Sequence, residues 1–363
     1  MRRAARPAAI ALAPIASALA LALALAAPGP GAAQDAPAAD AAPGDPFLER
    51  APVRDWLDEL AEGRGLDRDR LAGAFAALAP DASVLELISR PAERTLGWAD
   101  YAAIFLTDER VAAGRDWMAE HRETLDALAA DVDPATVAAI VGVETYFGRI
   151  VGERSVLRSL ATLGFDYPPR ADFFRAELGE YLALALDEGW DLADVTGSYA
   201  GAMGLPQFIP SSYRAYAVDG DGDGRIDLFG SVPDVVASVD AYLERHGWRA
   251  GAPVAEPWED PPEAAFALAE SGRLRPPALE PATLREAGFG SARLDAAEAA
   301  GEAVTVMRFD AWDGPGALGG DGPGAAGERL LVCYNNFYAI TRYNHSRLYA
   351  RAVHELARAL DAP

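Results

Sequence analysis

A chain of 363 residues with a formal net charge of −23 is long enough for one large core or two to three smaller ones, and its acidity argues against nucleic acid as a partner. A single cysteine, Cys333, excludes an intrachain disulfide and reads as a small buried apolar side chain. The four histidines, His121, His246, His345 and His354, lack metal-ligand spacing, which argues against a zinc enzyme.

At the amino terminus, Arg2, Arg3 and Arg6 precede an uncharged run from Ala8 to Ala27, and Gly31, Ala32 and Ala33 before Gln34 offer a cleavage site. Residues 1–33 therefore read as a secretory signal peptide; against the alternative of a membrane anchor stand Pro14 and the weak hydrophobicity of alanine. Cleavage removes three arginines and no acid, taking the charge from −23 to −26. No cysteine stands near the cleavage site, so no lipid attachment is expected there. Residues 34–46, rich in alanine, proline and aspartate, read as a disordered linker. Residues 47–132 carry helical spacing throughout, as at Trp56, Leu57 and Leu60 and at Leu71, Phe75 and Leu78, with breaks between, and predict an all-α domain.

A second unit, 133–251, opens with Asp133 and Pro134 as N-cap and first helical residue. A helix from there places Val137, Ile140 and Val141 on one face, and the next position on that face, i+7, is Glu144. Desolvation disfavours the charged carboxylate and raises its pKa, as a general acid requires. The plainer reading is that Glu144 reaches water or is neutralised by Arg149 or Arg154. Further on, Arg170 follows Pro168 and Pro169 among Tyr167, Phe173 and Phe174, which either line a groove or open and pack a helix. Glu177, Glu180 and Asp187 on the following helical run read as a solvated face.

The stretch from Gly197 to Tyr213, GSYAGAMGLPQFIPSSY, has small residues that admit close approach of a bulky ligand, with Ser198 and Gln207 able to donate and accept hydrogen bonds as sugars require. Ser198 lies in no G-x-S-x-G elbow, which disfavours a serine hydrolase. Residues 219–227, DGDGDGRID, set Asp219, Asp221, Asp223 and Asp227 at loop positions 1, 3, 5 and 9 with glycine at 6, an oxygen-rich calcium loop. Gly230 stands at position 12, where a bidentate glutamate is expected. Asp234 is the substitute ligand, or forms a capping box with Ser231, or both. Such a loop would be a structural staple.

Residues 252–331, rich in proline and glycine with short apolar runs, predict a small inserted β or α+β domain, with 313–327 a mobile loop. Residues 332–363 return as a strand and a helix: Leu330 to Arg342 alternates like a strand, and Ser346 to Leu360 has helical spacing. Asn335 to Ser346 packs amides, hydroxyls and aromatic rings together, the tools of carbohydrate sites and also of ordinary polar networks.

Four segments together, GVETYFGRIVG around Glu144, ATLGFDYPPRADFF from Ala161, GSYAGAMGLPQFIPSSYRAYAVDGDGDGRIDLF from Gly197 and NFYAITRYNHS from Asn336, resemble the family B lytic transglycosylases of bacterial peptidoglycan. The resemblance covers roughly Trp98 to Tyr242 and Asn336 to Leu356. It implies a mainly α (α+β) fold with a lysozyme-like catalytic core, an N-terminal all-α domain and a small inserted domain. It implies Glu144 as sole catalytic acid and base, Ser198 as its supporting serine, and Gln207 and Met203 as saccharide contacts. Groove positions fall on Tyr101, Tyr242, Tyr343, Asn344 and Tyr349. Where the family can show two arginines after Tyr-Pro, this chain has Pro169 and Arg170, so Arg170 alone carries over. The family's calcium loop corresponds to Asp219, Asp221 and Asp223, with Asp234 its late acidic ligand. The implied activity is cleavage of the β-1,4 bond between N-acetylmuramic acid and N-acetylglucosamine in peptidoglycan glycan strands, leaving 1,6-anhydro ends, in the periplasm, with no organic cofactor and one structural Ca2+. The alternatives are a hydrolytic muramidase of the same fold and a non-catalytic, calcium-stapled wall-binding protein.

Overall fold

The structure, a computed structural model, describes residues 45–89, 96–270, 274–310 and 328–362. The expected signal peptide, the linker up to residue 44 and the loop 313–327 lie outside the described residues.

Among the described residues, six α-helices come first: α1 (Ala51–Arg64), α2 (Arg68–Phe75), α3 (Ala82–Ile88), α4 (Trp98–Phe105), α5 (Asp108–Glu120) and α6 (Arg122–Leu128). Their starts are written locally. Asp67, Asp81 and Thr107 each accept an amide proton from the first turn of α2, α3 and α5 respectively, satisfying donors that have no partner within the helix. α4 is different. Its N-cap is Gly97, which has no side chain to offer, and the Trp98 amide instead donates to Asp310 Oδ2 at 3.2 Å, an acid more than two hundred residues away.

Next come α7 (Pro134–Thr145), α8 (Val156–Asp166), α9 (Ala171–Asp187), α10 (Pro210–Tyr216) and α11 (Val232–Arg245), with the short pair β1 (Arg154–Ser155) and β2 (Thr196–Gly197) between them. α7 differs from expectation in two ways. Residues 136–145 are all buried, so the helix has no wet face; α5, α11 and the C-terminal helix enclose it. Asp133 makes no side-chain cap, its main-chain carbonyl instead accepting from Thr136 and Val137.

The inserted segment is α+β. β3 (Ala255–Trp258), β4 (Ala269–Glu270), β5 (Thr305–Asp310) and β6 (Glu328–Cys333) form a sheet in the order β3-β6-β5-β4, antiparallel except for β4 against β5. With α12 (Pro281–Glu286) and α13 (Ala292–Ala299) it buries its own core around Trp258, Leu284, Phe289, Leu294, Val306 and Val332. The larger core is continuous from the N-terminal helices through α7 to α9 and α11 to the C-terminal pair.

The expected strand from Leu330 to Arg342 is a correction. It ends at Cys333, and α14 (Asn335–Tyr343) follows, then α15 (Arg347–Asp361). Phe337, Ile340 and Thr341 point inward at i, i+3 and i+4, a helical set hidden inside an alternating string. Asn336 anchors the turn: its Oδ1 accepts from the Arg249 amide at 2.8 Å and its Nδ2 donates to the Arg249 and Ala252 carbonyls at 2.9 and 3.0 Å. At the seam with the sheet, the Arg351 guanidinium of α15 lies 4.2 Å from the Trp98 ring and 4.6 Å from that of Phe309.

Candidate active site

Glu144 sits in the last turn of α7 with 4% of its surface exposed. It is withdrawn from water; of the two arginines considered, Arg154 pairs with Asp81 at 3.0 Å and Arg149 lies over the Tyr146 ring. The helix ends abruptly because Tyr146, Phe147 and Gly148 are all left-handed, at φ 53°, 57° and 79°. Two of these are not glycine, a conformation L side chains adopt at a cost. The reversal drives the Phe147 ring back against Gly142 and Gly114, where a Cβ on either glycine would collide with it. Thr145 then fastens the end, its hydroxyl donating to the Leu205 carbonyl at 3.0 Å while accepting from the Gly148 amide at 3.2 Å.

The Glu144 carboxylate is met from α15. Tyr349 donates its phenol proton to Oε1 at 2.7 Å, and its ring stacks on Tyr343 at 6.3 Å and 11°. Burial first, and the nearby Glu144 charge second, push both phenols well above their ordinary range, so they serve as donors and not as proton sources. Tyr101, fully buried on α4, contributes to the same electrostatic environment and packs 5.0 Å from Phe105.

The turn between β2 and α10 is tied to the end of α7 and to Tyr343. Ser198 Oγ accepts from the amides of Ala200 at 3.3 Å and Ala202 at 3.0 Å. Met203 is fully buried and bridges Gly197 and Phe208. Gln207 is left-handed at φ 51°, and its Nε2 donates to the Gly204 carbonyl at 2.8 Å. The turn is held to the glutamate's surroundings at consecutive carbonyls, Leu205 by Thr145 and Pro206 by the Tyr343 phenol at 2.6 Å. The structure thus brings Glu144, Tyr101, Tyr343, Tyr349 and the Ser198–Gln207 turn together. Tyr242 stands behind Tyr343 at 4.8 Å with its hydroxyl spent on the Arg342 carbonyl, and Asn344 is buried at the end of α14. Arg170 stands at the N-cap of α9, where its guanidinium covers Phe173 at 4.0 Å.

The solvated reading of Glu177 is wrong. It is 5% exposed and accepts from Ser211, at Oε2 from the amide and at Oε1 from the hydroxyl, while burial raises its pKa. Glu180 pairs with Arg64 and Arg214, and Asp187 with Arg214. Thr145 went unnoticed in the sequence, although a hydroxyl at the last position of an apolar helix, followed by aromatic residues and glycine, is a signal for an end that needs fastening.

In the acidic loop, Asp219, Asp221 and Asp223 each bring a carboxylate oxygen within 4.8 Å of the others, a donor set that suits a hard cation. Gly222 and Gly224 are left-handed at φ 73° and 88°, and the Gly222, Asp223 and Gly224 amides all donate to Asp219. Asp227 and Asp234 are not in that cluster. Asp227 accepts from Phe229 and Gly230, and Asp234 from Gly220 and Asp227, so both clamp the loop through amides. The capping box is half made, since the Asp234 amide donates to Ser231 Oγ and the Asp234 carboxylate turns to the loop.

The Transglycosylase SLT domain model matches residues 49–358. The chain belongs to that family. It is 32% identical over 330 residues to the membrane-bound lytic murein transglycosylase B of Escherichia coli, a match spanning 87% of this chain and 84% of that protein. Among solved structures it resembles the soluble lytic transglycosylase SltB1 of Pseudomonas aeruginosa at 41% identity and TM-score 0.75, covering 85% of this chain and 98% of that one. It also resembles the E. coli lytic transglycosylase Slt35 in complex with calcium at 31% identity and TM-score 0.73, covering 87% and 95%. The helical core around Glu144 with its small sheet is therefore the transglycosylase architecture, as the four sequence segments implied.

Proposed function

We propose that this lytic murein transglycosylase works through Glu144 alone, as acid and then base. The observation that carries the reading is that the buried Glu144 carboxyl group accepts from the Tyr349 phenol at Oε1, on a helix clamped to the Ser198–Gln207 turn through Thr145. Burial favours the neutral form that can give a proton, and the Tyr349 hydrogen bond steadies the anion left behind. Protonated Glu144 gives its proton to the glycosidic oxygen between N-acetylmuramic acid and N-acetylglucosamine, and that C1–O bond breaks. The 2-acetamido carbonyl steadies the oxocarbenium-like centre. Glu144 then takes the proton of the C6 hydroxyl, whose oxygen bonds to C1. The product is a 1,6-anhydro end, no water is consumed, and the glutamate returns to its starting form.

A hydrolytic muramidase needs a second carboxylate to place water. Of the carboxylates on α9, Glu177 has both oxygens engaged by Ser211, and Glu180 and Asp187 face arginines. In the same reading Ser198, Met203 and Gln207 shape the saccharide subsite, with Tyr101, Tyr242, Tyr343, Asn344 and Tyr349 forming the wall behind it, and Arg170 receives the acidic groups of the peptide stem. Asp219, Asp221 and Asp223 would hold one structural Ca2+, supported by their convergence and by the calcium-bound relative; bound there, it would brace the loop ahead of α11. The substrate lies outside the inner membrane, so we place the enzyme in the periplasm, exported by residues 1–33.

Mass spectrometry of digested sacculi tests the reading. Anhydro ends, lighter than reducing ends by one water, are expected from the parent and none above background from Glu144→Gln. Reducing ends from the parent would move the assignment to a muramidase, and equal release by both proteins would remove Glu144 from the chemistry.

A further inference from the structure

Arg110 lies on α5, is 5% exposed, and pairs with no carboxylate among the described residues. Its Nη1 donates to the Gly142 carbonyl at 3.3 Å, an oxygen already accepting from the Tyr146 amide at 3.1 Å. Its guanidinium stands 5.1 Å from the Phe105 ring and 4.6 Å from that of Tyr146. Burial lowers its pKa to about 10, with Tyr146 opposing. On stability alone this cation is a poor choice. A buried charge without a counter-charge is costly, and the carbonyl it serves would not be orphaned by its removal.

The place suggests the reason. Gly142 and Tyr146 are two residues before and two after Glu144, so one side chain grips both flanks of the catalytic position. A cation at the C-terminal end of α7 offsets the negative pole of the helix. Stacked on Tyr146, it also holds that residue's ring where the left-handed turn needs it, at φ 53°.

We propose that Arg110 is a positioning residue for Glu144, fixing through Gly142 and Tyr146 the end of α7 that carries its carboxyl group. The inference rests on Glu144 being the acid and base. Relative to the parent, Arg110→Met is expected to fold with an unchanged or higher melting temperature and to keep KM on soluble glycan oligomers within about twofold. Its kcat should fall about tenfold to a hundredfold, the scale that misplacing a catalytic group produces. Arg110→Lys should recover part of that loss, since it returns the cation and a donor without the planar fork that lies against two rings. The proposal is overturned if Arg110→Met keeps its kcat, if its kcat falls only in step with its melting temperature, if it fails to fold, or if Arg110→Lys recovers nothing. Glu144→Gln run alongside separates the two ideas. An active Glu144→Gln sinks the reading of the glutamate, whereas an inactive one beside a fully active Arg110→Met sinks only the role of Arg110.

Discussion

Tyr349→Phe removes one oxygen and leaves the ring stacked on Tyr343 at 6.3 Å, so it isolates the hydrogen bond to Glu144. That bond is 2.7 Å long, buried, and reaches a group that the proposed mechanism makes an anion halfway through the reaction. A hydrogen bond to a charged partner contributes roughly 1.5–3 kcal/mol, and each 1.4 kcal/mol of barrier is a factor of ten, so kcat should fall about tenfold to a hundredfold. KM should hold, because the phenol is already committed to Glu144 and is not available to the sugar. The assay is initial-rate release of anhydro-ended fragments from soluble glycan oligomers, with the melting temperature as a check on folding. A Tyr349→Phe enzyme with the parent's kcat, or one whose whole defect lies in KM, would refute the view that the phenol works through the carboxylate.

Chelation should lower the melting temperature of protein first loaded with calcium, by about 2.7 kcal/mol of lost stability for an ion present at a hundred times its dissociation constant, and Asp221→Asn should shrink that difference; identical curves with calcium and with EDTA would remove the metal from the loop. Gly142→Ala sets a Cβ 2.5 Å from the Phe147 ring, so unfolding by denaturant should show a loss of about 1–3 kcal/mol from overpacking, and an unchanged midpoint would mean the ring is free to move. His354 gives the pH prediction. Burial holds its folded pKa down at about 3, so below its unfolded value of 6.5 the unfolded chain takes up a proton the fold refuses, and stability falls as pH falls. Its neighbour Glu355, raised by burial to about 6 from 4.5, works with the opposite sign, its contribution being lost as pH rises through that window. The parent should therefore lose ground to His354→Leu as pH drops from about 7 to about 5, and a constant gap between their melting temperatures would show that the histidine titrates normally.

What was legible in the sequence and what was not divide along a physical line. Periodicity put Glu144 among apolar neighbours on a helix, which the structure buries on every side, and the acidic loop was readable because its aspartates alternate. Both are local patterns. The rest of the structure around it is built from bonds between distant segments whose main-chain partners carry no signature. Thr145 reaches the Leu205 carbonyl, Tyr343 that of Pro206, Tyr242 that of Arg342, and Asp310 caps a helix that begins at Trp98. Main-chain groups are the partner in all four, a carbonyl in three and the Trp98 amide in the last, and nearly every residue type supplies both, so nothing in the string marks which one will be used. The same blindness explains Glu177, which looked solvated until Ser211 closed over it, and the alternating string that became α14. It also alters what a matched motif means. Tyr242 and Tyr343 stand at groove positions by resemblance, yet their hydroxyls are occupied within the protein, so under the proposed function any part they take falls to their rings and to the placement of Tyr349. Glu144 is the converse case: its type and its place were both visible, but the phenol that steadies its charge comes from a helix 205 positions further along the chain.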